Sequence, residues 1–241
     1  FRSNPLGMDV KGMDLKVLSF TDVGDVRLLQ IGADGGVPLH TVGHYAVLQF
    51  GNHTPRPYSI ASLPNGHSLD FHIKNSRHAG GGSVEATTAL HIGDSVTLHH
   101  YDGNYTYLPD CPLSLVLIAG GTGLAPLLAI ARASLSDCPN RPITLYHGGR
   151  HFTDLYLHTL LQALAAEHPS FHYVPVLSEE QVPDIATGYV GDVALADLDK
   201  PSRLYVAGPV DMLRTTVHHA LQKGIPSHHI HSDLADLGTF R

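Results

Sequence analysis

Two stretches of the sequence carry side chains that could act on one ligand system. The first is RPYS at 56–59. It sets a planar cation, Arg56, beside a ring-locked residue, Pro57, an aromatic, Tyr58, and a hydroxyl, Ser59. A guanidinium matches phosphate oxygens through paired hydrogen bonds. By itself the tetrapeptide also reads as an ordinary strand-end turn with an exposed Tyr and Arg. The second stretch is LVLIAGGTGLAPLLAIARA at 115–133. It reads as a strand, a glycine turn and an amphipathic helix. Such a turn aims bare N–H groups from a helix start at an anion, and the helix dipole favours negative charge there. Gly120, Gly121 and Gly123 would let a pyrophosphate approach the main chain, and Thr122 adds a hydroxyl. Pro126 falls in the first helical turn, where its missing N–H costs little. The run is neither the G-x-G-x-x-G fingerprint nor a P-loop. A second turn, Ala207–Gly208–Pro209, ends a later strand and would open onto the same crevice, since open parallel sheets bind ligands beyond the carboxyl ends of their strands.

The elements that must position these residues fall into two textures. Residues 8–110 hold short apolar or alternating runs at Leu15–Phe20, Val26–Ile31, Tyr45–Phe50, Tyr58–Ala61, Leu69–Ile73 and Ser95–His99. Gly, Pro, Asn or Asp separates most of them. Six short strands at this spacing predict an antiparallel barrel or sandwich. GGGSVEATTAL at 80–90 reads as a glycine turn entering a short helix. From Pro112 strands alternate with helices. The strand runs are Leu115–Ala119, Ile143–Tyr146, His172–Val176 and Arg203–Val206, with His228–Ser232 as a possible fifth. The helical runs are Leu124–Leu135, Thr153–Glu167 and Val210–Lys223. That alternation predicts a doubly wound parallel sheet. The expected division is 1–110 for the barrel and 111–241 for the α/β unit.

Composition narrows the function classes. The 241 residues are 43% hydrophobic and 15% charged, with net charge −7. This is a globular composition without the basic patch of a nucleic-acid binder. No apolar run reaches the ~18–20 residues that cross a membrane. The first residues, FRSNPLGM, lack a signal-peptide pattern. A chain opening on Phe1 is expected to be truncated or trimmed, and a cytoplasmic location is expected. Cys111 and Cys138 are expected to be free thiols, and two cysteines cannot hold an iron–sulfur cluster. The 19 histidines cluster at 99–100, 218–219 and 228–231 without metal-ligand spacing, so no metal site is expected.

RPYS in a β-rich half, then AGGTGLAP, then an AGP turn, in that order, resembles the ferredoxin–NADP⁺ reductase superfamily over roughly residues 8–235. YHGGRHFTDLY at 146–156 and FHYVPVLSE at 171–179 resemble its bacterial flavin-reductase and oxygenase-reductase branch. The resemblance implies a six-stranded FAD-binding barrel followed by a nicotinamide-dinucleotide domain. Arg56 would meet the flavin pyrophosphate, Tyr58 would stack on the isoalloxazine, and Ser59 would bond near flavin N5. Pro57 would hold its strand away from regular pairing. His72, Ile73 and Lys74 match a second flavin-contacting strand. Gly81, Gly82 and Ser83 match the loop that seats the flavin diphosphate, which favours tightly held FAD. Gly120, Gly121, Thr122, Gly123, Pro126, Gly208 and Pro209 would hold the nicotinamide dinucleotide, with Arg150 on its pyrophosphate or adenine side.

The resemblance also has departures. Where NADPH-specific relatives carry Ser-Arg-Glu, this chain has Ser178–Glu179–Glu180. An inward carboxylate at 179 would repel a 2′-phosphate, with Arg150 as a cation that could counter it, and NADH is expected over NADPH. Many relatives have cysteine where this chain has Ala207. Asp233 is the candidate for an acidic residue after the last strand; the tail with Phe240 is expected to be a disordered end rather than a cover over the flavin. The implied activity is hydride transfer from nicotinamide to flavin N5, with electrons passed to an iron–sulfur protein or domain or to another acceptor. Reduction of free flavin or ferric complexes, and a non-catalytic sensor of flavin or nicotinamide state, are the alternatives.

Overall fold

The computed structural model describes residues 12–75, 88–103, 105–198 and 200–232. The first lobe is built from β1 (Met13–Val23), β2 (Val26–Gly32), β3 (Tyr45–Phe50), β4 (Arg56–Ser59), β5 (Ser68–Lys74) and β6 (Ser95–Asp102). They form an antiparallel sheet in the order β4-β3-β6-β1-β2-β5. A bridge between Ile60 and Phe71 joins the two ends of that order. The Ala61 N–H donates to the Asp70 carbonyl at 2.8 Å beside it. The predicted barrel is therefore closed at this bridge, while β4 remains the last laddered strand of the sheet. Alternate residues point inward, as the two-residue strand period requires. Leu15, Val17, Leu29, Ile31, Leu48, Phe50, Leu69, Phe71, Val96 and Leu98 form its core.

The second lobe is a parallel sheet in the order β10-β9-β8-β7-β11-β12. Its strands are β7 (Ser114–Gly120), β8 (Ile143–Gly149), β9 (Phe171–Leu177), β10 (Ala186–Thr187), β11 (Ser202–Ala207) and β12 (Ile230–Ser232). The helices are α1 (Leu124–Asp137), α2 (His158–Glu167), α3 (Val190–Ala196) and α4 (Val210–Gln222). Leu115, Leu117 and Ala119 of β7 face α1 and α2. Val116 and Ile118 of the same strand face α3 and α4. The sheet is thus doubly wound, with β7 buried on both faces, which accounts for its unbroken apolar run.

Two elements differ from the sequence reading. The helix expected from Thr153 begins only at His158, after a 3₁₀ turn over Phe152–Asp154. Leu155 and Leu157 leave helical geometry there (ψ 61° and 26°). The short helix α3 and strand β10 lie in a stretch whose periodicity is too brief to register.

The lobes share one core. Val26, Tyr105 and Tyr107 from the barrel side are buried in the same cluster as Leu124, Leu128 and Leu135 of α1. Behind the cleft, the linker is held by Arg141, which donates to the carbonyls of Leu108 and Pro109. The Tyr205 hydroxyl donates to the Thr106 carbonyl at 3.1 Å. Cys111 and Cys138 are both free thiols. Among the described residues no helix is long and apolar enough to cross a membrane.

Candidate active site

A cleft of about 690 Å³ opens between the lobes. The barrel supplies Asp25, Val26 and Lys74; the carboxyl ends of the parallel strands supply Gly120–Thr122, Gly148–His151 and Pro209. The glycine turn after β7 lines the cleft, and β5 of the barrel touches that turn as well as β4.

The three glycines of this turn have different reasons to be glycine. A Cβ on Gly120 would lie 2.6 Å from Met212 Sδ and 2.9 Å from Pro209 Cδ. One on Gly123 would overlap the Ala207 carbonyl. These two serve the packing of the β7 turn against the β11 turn, where Gly208 (φ +151°) rests on Gly120. Only Gly121 (φ +52°) faces open space, so its peptide alone presents itself bare to a ligand. Helix α1 follows a 3₁₀ turn over Gly121–Gly123 and has no side-chain cap; its first N–H, from Leu124, is bonded back to the Gly121 and Thr122 carbonyls, so an anion would meet the turn itself. Pro126 is buried in that first turn. Ala207, in the position of the family cysteine, is fully buried beside α1.

On the barrel, Arg56 and Pro57 are exposed and Tyr58 and Ser59 half-exposed. Phe50 holds the Tyr58 ring edge-on, with centroids 5.5 Å apart at 88°. Pro57 does not interrupt pairing as expected: it lies opposite Val47 in a continuous β3–β4 ladder. Its missing N–H is tolerated because β4 is the last strand in the sheet order. In β5 the expected trio divides by strand alternation. Ile73 is buried in the barrel core, so only its main chain can meet a ligand. His72 and Lys74 point outward. Lys74 reaches the cleft and pairs with Asp25 at 3.2 Å. Gly81, Gly82, Ser83, Asp233 and Phe240 lie outside the described residues.

At the far end, Arg150 Nε stands 3.6 Å from Glu179 Oε1. His151 lies within 4.0 Å of both Glu179 and Glu180. Glu180 accepts the Phe152 N–H at 2.6 Å. Asp154 accepts the N–H groups of Arg150 and His151 at 2.8 and 3.0 Å. Burial works to raise the Asp154 carboxyl, but those two bonds and nearby cations outweigh it and hold it low.

Sequence reasoning passed over three residues of the cleft region. Tyr189 is 76% exposed and offers its ring at the mouth. Tyr156 lines the wall, and its hydroxyl lies 2.8 Å from His72 Nδ1 across the lobes. His147 is fully buried, and neither ring nitrogen has a hydrogen bond of normal geometry. Burial lowers its pKa to about 4, so it is neutral at pH 7. A lone Tyr in a loop, or a His within a strand, carries no spacing that marks it. Among the described residues no three His, Cys, Asp or Glu side chains converge to hold a metal.

A closed antiparallel barrel packed on a doubly wound parallel sheet, with a glycine turn in the shared cleft, is the architecture of two-lobed flavin and nicotinamide oxidoreductases. Residues 117–218 match the oxidoreductase NAD-binding domain family. The chain is 33% identical over 229 residues to the ferredoxin–NAD(P)⁺ reductase component of a Pseudomonas putida naphthalene 1,2-dioxygenase system, covering 93% of this chain and 68% of that protein. It is 31% identical to an NAD(P)H-flavin reductase of Aliivibrio fischeri, covering 70% of this chain and 75% of the relative. The crystal structure of an Amycolatopsis cytochrome P450 reductase superposes with a TM-score of 0.85 at 31% identity, over 92% of this chain and 69% of that one. The chain belongs to the ferredoxin–NADP⁺ reductase superfamily of flavin-dependent NAD(P)H oxidoreductases. It spans about two thirds of the length of the reductase components it matches.

Proposed function

We propose that this chain is an NADH-preferring, FAD-dependent oxidoreductase that passes electrons to an iron–sulfur protein or domain. The observation that carries the reading is the meeting of β5 with the Gly121–Gly123 turn across one cleft. β5 also borders β4, the strand that bears Tyr58, which supports a flavin seat next to the anion-binding corner of the parallel sheet. The residues present fit both groups. Tyr58 offers a half-exposed ring and Arg56 an exposed guanidinium on the barrel. Gly121 offers an unshielded peptide before an uncapped helix. When both are bound, FAD and NADH supply the redox chemistry, a hydride passing from nicotinamide C4 to flavin N5.

The chain's own contribution is placement. Arg56 would neutralise the flavin pyrophosphate, while Tyr58 and Ser59 orient its ring system. Gly120, Gly121, Thr122, Gly123 and Pro126 would shape the corner for the dinucleotide, with Gly208 and Pro209 closing the other wall. Lys74, at the rim beside Asp25, would contribute a cation to the dinucleotide phosphates. Tyr189 would stack on the adenine. Glu179 supports NADH, because it already neutralises Arg150 and sets an anion where a 2′-phosphate would need a cation. We assign the barrel to residues 1–110 and the dinucleotide unit to 111–241. Gly81, Gly82 and Ser83 would complete the flavin seat, and Asp233 would serve as the acidic residue that follows the last strand.

The iron–sulfur acceptor is supported by the relatives, which are named as reductase components of oxygenase systems. The flavin-reductase relatives support a second reading, in which flavin diffuses on and off as substrate. Anaerobic mixing with NADH tests the function: the bound flavin absorbance should bleach, and kcat/KM should favour NADH. Protein that dialyses colourless yet turns over added FMN would establish the second reading instead. Bound flavin that NADH leaves oxidised would refute both.

A further inference from the structure

We infer that the Tyr156 hydroxyl and His72 form a clasp that fixes the separation between the flavin-bearing barrel and the dinucleotide-bearing turn, making Tyr156 a positioning residue for hydride transfer. The inference rests on the function proposed above.

The lobes are pinned at two opposite places. At the linker, Arg141 holds the Leu108 and Pro109 carbonyls and Tyr205 holds Thr106. At the cleft, His72 Nδ1 meets the Tyr156 hydroxyl at 2.8 Å. His72 lies on β5, the strand that touches the Gly121–Gly123 turn. Tyr156 follows the loop that carries Arg150 and His151, and its side chain lines the cleft. That loop is itself stapled, because Asp154 holds the Arg150 and His151 N–H groups.

The surroundings leave Tyr156 little room. It is 7% exposed and stands edge-on between two imidazoles. The His72 ring lies 5.5 Å away at 88°, and the His147 ring 5.7 Å away at 86°. His147 pairs in register with Ala119, at the root of the glycine turn. A buried hydroxyl and a half-buried imidazole that bond to each other across an interface are costly to separate, since the hydroxyl would lose its partner away from water. Both histidines are kept neutral by burial, so the clasp carries no net charge against the cofactors. Placement of this kind matters, because hydride transfer needs its two rings ~3–3.5 Å apart and a 1 Å error can cost about 10²-fold in rate.

The test uses the FAD-loaded protein, mixed anaerobically with saturating NADH in a stopped-flow instrument. Tyr156→Phe should lower the limiting bleaching rate at least tenfold while changing flavin content and the NADH Kd less than twofold. His72→Phe should lower the same limiting rate at least tenfold, measured per bound flavin, and the double variant should be no slower than either single one. His72→Gln keeps an acceptor for the hydroxyl and should recover part of the rate. Deuteration of NADH at C4 should slow the variants more than the parent protein. A Tyr156→Phe rate within twofold of the parent, or effects that multiply in the double variant, would overturn the clasp while leaving the proposed function standing. If Tyr156→Phe does not fold, the His72→Phe and His72→Gln pair decides alone: equal rates in the two overturn the clasp. Parent protein that NADH fails to bleach overturns the function and the clasp together.

Discussion

Arg150 and Glu179 face each other at 3.6 Å across the ends of β8 and β9, so the Arg150 cation on the wall of the cleft is already matched by an anion. Replacing Glu179 with Arg turns that pair into two cations. The ratio of kcat/KM for NADPH over NADH should rise by about tenfold or more, since a close charge reversal at an effective dielectric near 20 is worth several kcal/mol before solvent screening. Steady-state kinetics with both dinucleotides checks this; an unchanged ratio would remove Glu179 from specificity.

The glycine turn yields a paired prediction. Gly121→Ala places a methyl in the open cleft at positive φ. It should raise the KM for NADH severalfold, with a stability cost of about 1–2 kcal/mol for the left-handed backbone. Gly123→Ala forces a Cβ onto the Ala207 carbonyl. It should lower Tm by more than ~5 °C, because each kcal/mol moves a chain of this size by ~2–4 °C. Thermal melts beside NADH kinetics separate the two effects.

Flavin retention depends on the first motif. Tyr58→Ala removes the ring braced against Phe50, and Arg56→Ala removes the exposed guanidinium. Either change should release FAD on dialysis, read as loss of visible absorbance, while far-UV circular dichroism stays that of the parent. Full retention in both variants would move the flavin elsewhere.

Acid should weaken the fold through His147. Burial holds it neutral in the folded protein, with a pKa of about 4 against 6.5 for the free side chain. Below pH 6.5 the unfolded chain binds a proton that the folded chain refuses, so stability falls as pH drops from 6.5 toward 4. His158 and Asp154 face the same ring with opposite effects, the first disfavouring and the second favouring its charge. His147→Phe should flatten the acid limb of Tm against pH. An identical limb in the variant would discharge His147 from that role.

How much could be read in advance follows from what each residue's signal depends on. RPYS and AGGTGLAP were legible because their chemistry is local: a cation beside an aromatic, and a glycine turn between strand and helix. The barrel strands were legible from their alternation and the turn residues between them. The division of labour among Gly120, Gly121 and Gly123 was not, because it depends on Met212, Pro209 and Ala207 approaching from the β11 turn. Ile73 was assigned to the cofactor through its motif, yet strand alternation already turned its side chain inward. Tyr156, His147 and Tyr189 gain their meaning only from neighbours distant in sequence. The late start of α2 came from Leu155 and Leu157, whose apolar spacing suits a helix but whose backbone does not follow one.

Because Val26, Tyr105 and Tyr107 are buried among the leucines of α1, neither half of this chain is a free-standing module. Severed near residue 110, the barrel would bare a greasy flank and the α/β half would lose the cover of its first helix. The intact chain should therefore melt in one calorimetric transition, and its halves expressed apart should aggregate unless produced together.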